Sequence, residues 1–224
     1  MHRLLAPLVL APLVLATLVA VLAFAASPAA AGEPIVITVE AEDYQRQTKD
    51  SVRRWYKVHE GAALFDGPDG DAPHHATASG GAYLECLPDT RRTHGDKLIS
   101  GENFMGTPGK MAVLDYRVTI PQAGRYYVWV RAHSTGTEDN GIHVGLNGQW
   151  PATGARMQWT KGKRSWFWDS KQRTKENHGG VPGKIYLDIP EPGEHTISFS
   201  MREDGFEFDK FLLTTQKLMP RPQE

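Results

Sequence analysis

Cysteine is almost absent from this sequence of 224 residues, in which Cys86 is the only one. A lone thiol forms no internal disulfide, so the folded chain must be held by its core, with a bound metal as the other available support. We expect Cys86 itself to be buried as a small apolar residue.

An excess of either charge sign is also absent. The sequence has 25 basic and 26 acidic side chains, which give a formal net charge of −1. A balanced charge excludes a basic nucleic-acid-binding protein and favours an uncharged or weakly charged ligand.

Catalytic motifs are missing too: the sequence has no HExxH, no G-x-S-x-G, no CxxC and no phosphate-binding loop. His74 and His75 follow the acidic loop at residues 66–71, and His94 lies near Asp96. These histidines are the groups left for a metal or proton-transfer role. A secreted hydrolase or lyase acting on polysaccharide is therefore the least favoured function.

The first 31 residues differ from the rest of the chain. An apolar run at residues 4–26 follows Arg3, and small residues that end with the alanines at 29–31 come before Gly32. This pattern predicts a secretory signal peptide over residues 1–31 and an exported domain over residues 32–224, in the periplasm, at the cell surface or outside the cell. The run is also long enough for an uncleaved anchor, which its two prolines disfavour.

The exported part has the composition of an all-β domain, with many glycines and prolines and no amphipathic helix. Apolar and polar residues alternate along residues 114–120 and 126–132, and again along 185–189 and 197–201. A Pro-x-x-Gly turn separates each pair, so we predict two hairpins. Further strands are predicted at residues 35–42, 54–59, 82–86, 142–146, 165–169 and 206–213. The expected fold is a two-sheet antiparallel β-sandwich.

Three long, turn-rich loops connect these strands, at residues 66–81, 88–110 and 172–183. Long loops on a compact sandwich commonly carry its binding sites.

Acidic residues occur at both ends of the domain. Glu40 and Glu42 lie on one face of the first predicted strand, and Asp209 lies within an apolar run of the last one. If these strands are neighbours, the three acids converge on one hard cation such as calcium. The alternatives are a solvent-facing position or a salt bridge to Lys210 or to an arginine.

Several segments resemble the carbohydrate-binding modules of families six and thirty-five, in the same order and spacing. They are VEAEDY at 39–44, GGAYLE at 80–85, the stretch 114–132 and the ending 193–213. The segments 138–148 and 165–168 are similar to the C-terminal domain of family-115 glycoside hydrolases. This resemblance implies a galactose-binding-like jelly roll that is not catalytic. It also implies a structural calcium ion held by Glu40, Glu42 and Asp209.

The same resemblance implies aromatic residues that stack on a sugar ring. Tyr83 and either Trp166 or Trp168 occupy the matching regions. Flat aromatic faces suit the C–H face of a pyranose ring. Each of these side chains has ordinary core packing as its alternative role.

Polar contacts to the sugar are expected from three further residues. Glu207 occupies the position of an asparagine that binds the ligand in these families, and its carboxylate would repel an acidic sugar. Asn140 and Asp204 are additional loop contacts, with turn formation as the alternative for both.

These features predict a secreted, non-catalytic protein that binds a polysaccharide or other glycan, alone or beside a separately encoded glycoside hydrolase. No nucleic-acid partner is expected, and no membrane contact after signal cleavage. The alternative function is a structural or adhesive cell-surface domain that binds protein through a patch of Tyr127, Trp129 and Tyr186.

Overall fold

The computed structural model describes residues 33–48, 50–217 and 222. The predicted signal peptide, residues 1–31, lies outside these residues, and so does Gly32. Within the described residues, no helix is long and apolar enough to cross a membrane.

Fourteen strands form the domain, interrupted by short 3-10 turns at Ala41–Asp43, His75–Thr77, Ser79–Gly81 and Ala152–Gly154. In chain order the strands are β1 (Val36–Glu40), β2 (Arg46–Gln47), β3 (Arg54–His59), β4 (Ala82–Leu87), β5 (Val113–Ile120), β6 (Gly124–His133), β7 (Gly141–Leu146), β8 (Met157–Gln158), β9 (Phe167–Asp169), β10 (Lys171–Gln172), β11 (Val181–Pro182), β12 (Tyr186–Ile189), β13 (Gly193–Met201) and β14 (Glu207–Thr214). The predicted all-β class is confirmed.

The strands divide into two seven-stranded antiparallel sheets, as predicted for a sandwich. The first runs β12-β6-β14-β4-β3, with β1 also paired to β14 and β9 also paired to β6. The second runs β11-β10-β8-β7-β13-β5-β2. The first and last strands are neighbours, since Glu40 pairs with Lys210.

The period-2 pattern correctly identified the core. On β5 the alternate residues Leu114, Tyr116, Val118 and Ile120 are buried, and on β6 so are Tyr126, Val128, Val130 and Ala132. Tyr116 and three phenylalanines from β13 and β14 pack edge-on between the sheets. Cys86 is fully buried and free, as expected.

Both predicted hairpins are wrong. β5 pairs with β13 in the second sheet, and β6 pairs with β12 in the first. Each Pro-x-x-Gly link therefore crosses from one sheet to the other. Gly124 and Gly193 begin the strands after these links with φ of 145° and 129°, a backbone conformation that other residues rarely adopt.

The first strand is shorter than predicted. β1 ends at Glu40, and Glu42 lies in the following 3-10 turn instead of on the same strand face. The chain turns here because Ala41 is fully buried and its carbonyl accepts a hydrogen bond of 2.6 Å from the Tyr116 hydroxyl.

Candidate functional site

The three acids predicted to bind calcium are neighbours, and we call Glu40, Glu42 and Asp209 the acid cluster. Ser79 joins two of them, because its hydroxyl donates to Glu40 Oε1 (2.9 Å) and its backbone N–H donates to Asp209 Oδ1 (2.7 Å). The pairing of β14 with β6 shifts register between Phe208 and Lys210, which places Asp209 at a bulge.

The charges around the acid cluster are only partly balanced. Arg131 donates to Asp209 Oδ2 at 2.6 Å, so the arginine salt bridge considered above exists for this one acid. Lys210 donates to the Ser79 hydroxyl (3.1 Å). Oε2 of Glu40 and Oε2 of Glu42 are buried and find no hydrogen-bond partner among the described residues.

The acidities of the cluster reflect this imbalance. Burial raises the pKa of Glu42, and the negative charges of Glu40 and Asp209 raise it further. Burial also raises the pKa of Asp209, although Arg131 opposes the effect. Carboxylate oxygens are the ligands that calcium prefers, so the chemistry of this side-chain set suits calcium, although its ligand atoms do not all lie within 4.8 Å of one another.

A cavity of about 500 Å³ lies beside Trp166, and we call it the tryptophan cavity. Its walls come from the long loop at 66–81, from the end of β6 and from the segment before β9. The lining residues are Asp71, His74, Thr77, Arg131, His133, Thr135, Arg164, Ser165 and Trp166. Arg131 joins this cavity to the acid cluster, because it lines the cavity and binds Asp209.

The two predicted tryptophans differ in their surroundings. Trp166 lines the tryptophan cavity and donates from Nε1 to the Thr77 hydroxyl (3.2 Å). Trp168 does not line it, and Lys210 Nζ lies 5.9 Å from its ring centroid. Only 9% of Trp166 and 4% of Trp168 is exposed, so a small part of the Trp166 ring reaches the cavity.

Tyr83 and Glu207 support the cavity from below its surface. Tyr83 has no exposed surface, and its ring packs edge-on against Trp166 with centroids 5.2 Å apart. Glu207 is 2% exposed, accepts a hydrogen bond from His74 Nδ1 (2.8 Å), and lies 2.7 Å from His133 Nδ1. The side chains that reach the cavity are therefore the histidines that Glu207 orients.

Glu207 and His74 change each other's pKa. Burial alone would raise the pKa of Glu207, but the hydrogen bonds from His133 and His74 outweigh burial and lower it. The hydrogen bond to Glu207 in turn raises the pKa of His74. The donor atoms of Asp71, His74, His133 and Glu207 lie within 4.8 Å of one another, a set that divalent transition metals also accept. In this structure His74 Nδ1 donates to Glu207, and His133 Nδ1 lies 2.7 Å from the same carboxylate.

The other two predicted sugar contacts lie outside the tryptophan cavity. Asp204 is fully buried, where it pairs with Arg53 (2.8 Å) and accepts from the backbone and hydroxyl of Thr90. Its burial favours the structural role. Asn140 is 3% exposed and lies in a different cleft, where its side-chain amide donates to the Thr137 carbonyl.

Sequence reasoning missed Arg131, His133 and Arg164, which line the tryptophan cavity beside Trp166. Arg131 and His133 end a strand assigned to the core by its alternation, and they lie on its opposite face. Arg164 precedes the SWFW segment, and this proximity was the available signal.

The aromatic patch suggested for protein binding is partly covered. Tyr127 is 7% exposed and packs edge-on against Tyr186, over which the Arg125 guanidinium lies at 3.7 Å.

Comparison with known proteins identifies relatives of the chain. Residues 70–221 match the glycosyl hydrolase family 115 C-terminal domain. A protein from Formosa agariphila described as uncharacterized protein P23 is 56% identical over 180 residues, which make up 80% of this chain and 44% of that protein. The chain thus spans less than half the length of this relative.

Solved structures with a similar fold are more distant. A family 35 carbohydrate-binding module from Clostridium thermocellum is 18% identical with a TM-score of 0.43, covering 80% of this chain and 98% of the module. Another, from Paenibacillus barcinonensis, is 13% identical with a TM-score of 0.40, covering 80% and 99%. At these scores the similarity does not bear on which residues bind a ligand.

Proposed function

Because the chain belongs to the family of glycosyl hydrolase family 115 C-terminal domains, we propose that it binds carbohydrate without altering it, in the tryptophan cavity. The observation that carries this proposal is the position of Trp166, a predicted sugar contact, at the wall of a cavity lined by side chains that donate and accept hydrogen bonds. Such a mixture of one aromatic surface and several oriented polar groups is typical of saccharide sites.

The properties of the cavity favour recognition through hydrogen bonds. Its volume of about 500 Å³ lies in the range of small-ligand sites. The exposed part of Trp166 is small, so stacking contributes less than the guanidinium groups of Arg131 and Arg164 and the imidazoles of His74 and His133. Glu207 holds the two imidazoles in place, and Tyr83 packs against Trp166.

We further propose that the acid cluster holds a structural calcium ion. The unpartnered oxygens of Glu40 and Glu42, together with Asp209, support this assignment. A bound ion would neutralise carboxylates from the first strand, the turn after it and the last strand, and would thereby stabilise the paired chain ends. It takes no part in any reaction.

Export and a partner enzyme complete the proposal. Residues 1–31 have the pattern of a signal peptide, so we propose an extracytoplasmic location. The family name supports cooperation with a separately encoded glycoside hydrolase.

A glycan-binding panel tests the proposed site with the purified protein and two alanine variants. Trp166→Ala should weaken glycan binding by about tenfold or more, which corresponds to about 1.4 kcal/mol. Trp168→Ala is the matched control, because Trp168 is also buried, lies two residues away and does not line the cavity. Equal losses in both folded variants, or no glycan bound by the unaltered protein, would overturn the proposal.

A further inference from the structure

A second, larger cleft of about 610 Å³ shares no lining residue with the tryptophan cavity, and we call it the arginine cleft. Its basic lining residues are Arg91, Arg156, Lys163, Arg173 and Arg202, and its acidic ones are Glu138 and Glu203. With histidines neutral, the lining carries a net charge of +3. The whole chain carries −1. Positive charge is therefore concentrated here.

Two of the five cations have acidic partners within the cleft. Arg91 pairs with Glu138, and Arg202 pairs with Glu203. For Arg156, Lys163 and Arg173, no carboxylate of the described residues forms a salt bridge. These three charges are balanced only at longer range.

The crowding of like charges is unfavourable without a bound anion. Burial lowers the pKa of Arg173, and the positive charge of Arg202 lowers it further. The same two causes act on Arg156. Natural proteins keep such uncompensated charges at binding sites, where a ligand of opposite charge relieves the repulsion.

The cleft also contains polar atoms that nothing in the described part of the chain satisfies. The Nε atoms of Arg91, Arg173 and Arg202 are buried without an acceptor, and so is Oδ1 of Asn140 without a donor. A buried polar atom left without its hydrogen bond is destabilising. Guanidinium donors suit carboxylate and sulfate oxygens, whereas the Asn140 carbonyl suits a hydroxyl.

Arg156 is held in place by its backbone. Its φ is +59°, and its N–H donates to Nδ1 of His143 (2.9 Å), whose Nε2 donates to the Met105 carbonyl (3.0 Å). Burial, with the charges of Arg202 and Arg156, lowers the pKa of His143 to about 4. The imidazole therefore stays neutral and accepts the Arg156 N–H.

We propose that the arginine cleft is a second binding site, which takes a saccharide bearing an anionic group, a carboxylate or a sulfate. The saccharide part of this inference rests on the proposed function, whereas the anion part rests on the charge of the cleft alone. Asn140, Gln158 and the partly buried ring of Phe104 supply hydroxyl partners and an apolar surface. An overall negative chain with one confined basic cleft does not suit nucleic acid.

Calorimetric titration tests the site with four probes and the unaltered protein. The probes are a neutral oligosaccharide, its uronate-bearing and sulfated counterparts, and an oligonucleotide of similar charge. We expect an anionic oligosaccharide to bind at least about tenfold more tightly than the neutral one, with affinity falling as salt rises. The uronate and sulfate arms identify the anion. Equal affinity for the neutral and both anionic sugars, or equal or tighter binding of the oligonucleotide, would overturn the proposal.

Three variants locate the binding. Arg173→Gln and Arg156→Gln each remove one charge from the arginine cleft, and each should reduce the preference for the anionic sugar about tenfold. Arg117→Gln removes an exposed arginine that lines neither cavity, so it should leave that preference unchanged. If anionic sugars bind while neutral ones do not, the proposal for the tryptophan cavity fails and this inference stands. Equal losses in Arg117→Gln and Arg173→Gln would refute it.

Thermal unfolding without ligand separates binding from a structural role. Since Arg173 has no salt-bridged acid among the described residues, Arg173→Gln should unfold at the same temperature as the unaltered protein or higher. A fall of several degrees in both Arg173→Gln and Arg156→Gln would mean that these charges stabilise the fold, which contradicts the proposal.

Discussion

Calcium should stabilise the domain. The substitution Glu42→Gln should raise the unfolding temperature when calcium is absent and lower it when calcium is present. A ligand at one hundred times its dissociation constant stabilises a folded protein by about 2.7 kcal/mol. For a unit the size of Pro34–Glu224, each kcal/mol corresponds to roughly 2–4 °C. Excess calcium should therefore raise the unfolding temperature by about 5–11 °C above the value in chelator.

The structure gives the sign of the Glu42→Gln effect in each condition. Without calcium, the Glu42 carboxylate is buried beside two other acids, and these surroundings raise its pKa. Replacing it by a neutral amide relieves the repulsion, so the variant should unfold at a higher temperature than the unaltered protein in chelator. With calcium, the variant lacks one ligand and should lose most of the stabilisation.

Asp43→Asn is the matched control, since Asp43 is the exposed acid next in the chain. It should leave the calcium response unchanged. The assay is calorimetric unfolding of the three proteins in calcium and in chelator. The reasoning is refuted if calcium does not change the unfolding temperature, or if Glu42→Gln lowers it equally in both conditions.

Two further predictions concern buried acids. Burial, with the charges of Glu207 and neighbouring aspartates, raises the pKa of Glu85 to about 10. The free energy of unfolding should therefore decrease as pH rises from about 4.5 towards 10. Unfolding measurements at pH 5 and pH 8 should show a smaller decrease for Glu85→Gln than for the unaltered protein. The same decrease in both proteins would contradict this prediction. Asp204→Ala leaves the buried Arg53 guanidinium unpaired, and should destabilise the domain by about 3–5 kcal/mol in denaturant titration. Glycan affinity should persist, and its loss in a folded variant would favour the predicted ligand role.

The sequence was sufficient for properties that depend on neighbouring residues along the chain. Alternation at period 2 identified the buried face of β5, because each side chain of a strand points to the opposite face from the next. It could not identify strand partners. A Pro-x-x-Gly turn ending at Gly124 has the same composition whether it closes a hairpin or crosses between sheets. The choice depends on β12 and β13, which lie more than sixty residues away.

The candidate site was predictable in the same limited sense. Trp166 was recognised by the type of its side chain, and the structure places it at a cavity. Tyr83 and Glu207 were placed in the right region, but Trp166 packs over Tyr83, and His74 and His133 from other segments cover Glu207. Local sequence gives residue types, whereas exposure is set by chain segments that fold over them.

The net charge of the chain and the local charge of the arginine cleft have opposite signs. The five basic residues of the arginine cleft come from separate segments of the chain, and acids elsewhere cancel them in the total of −1. That total predicted an uncharged or weakly charged ligand. A ligand in the cleft, however, experiences the charges within about a Debye length, roughly 8–10 Å, and not the sum over the molecule. Net charge therefore describes solubility and long-range attraction. The sign of a bound ligand follows from the salt bridges that Arg156 and Arg173 lack.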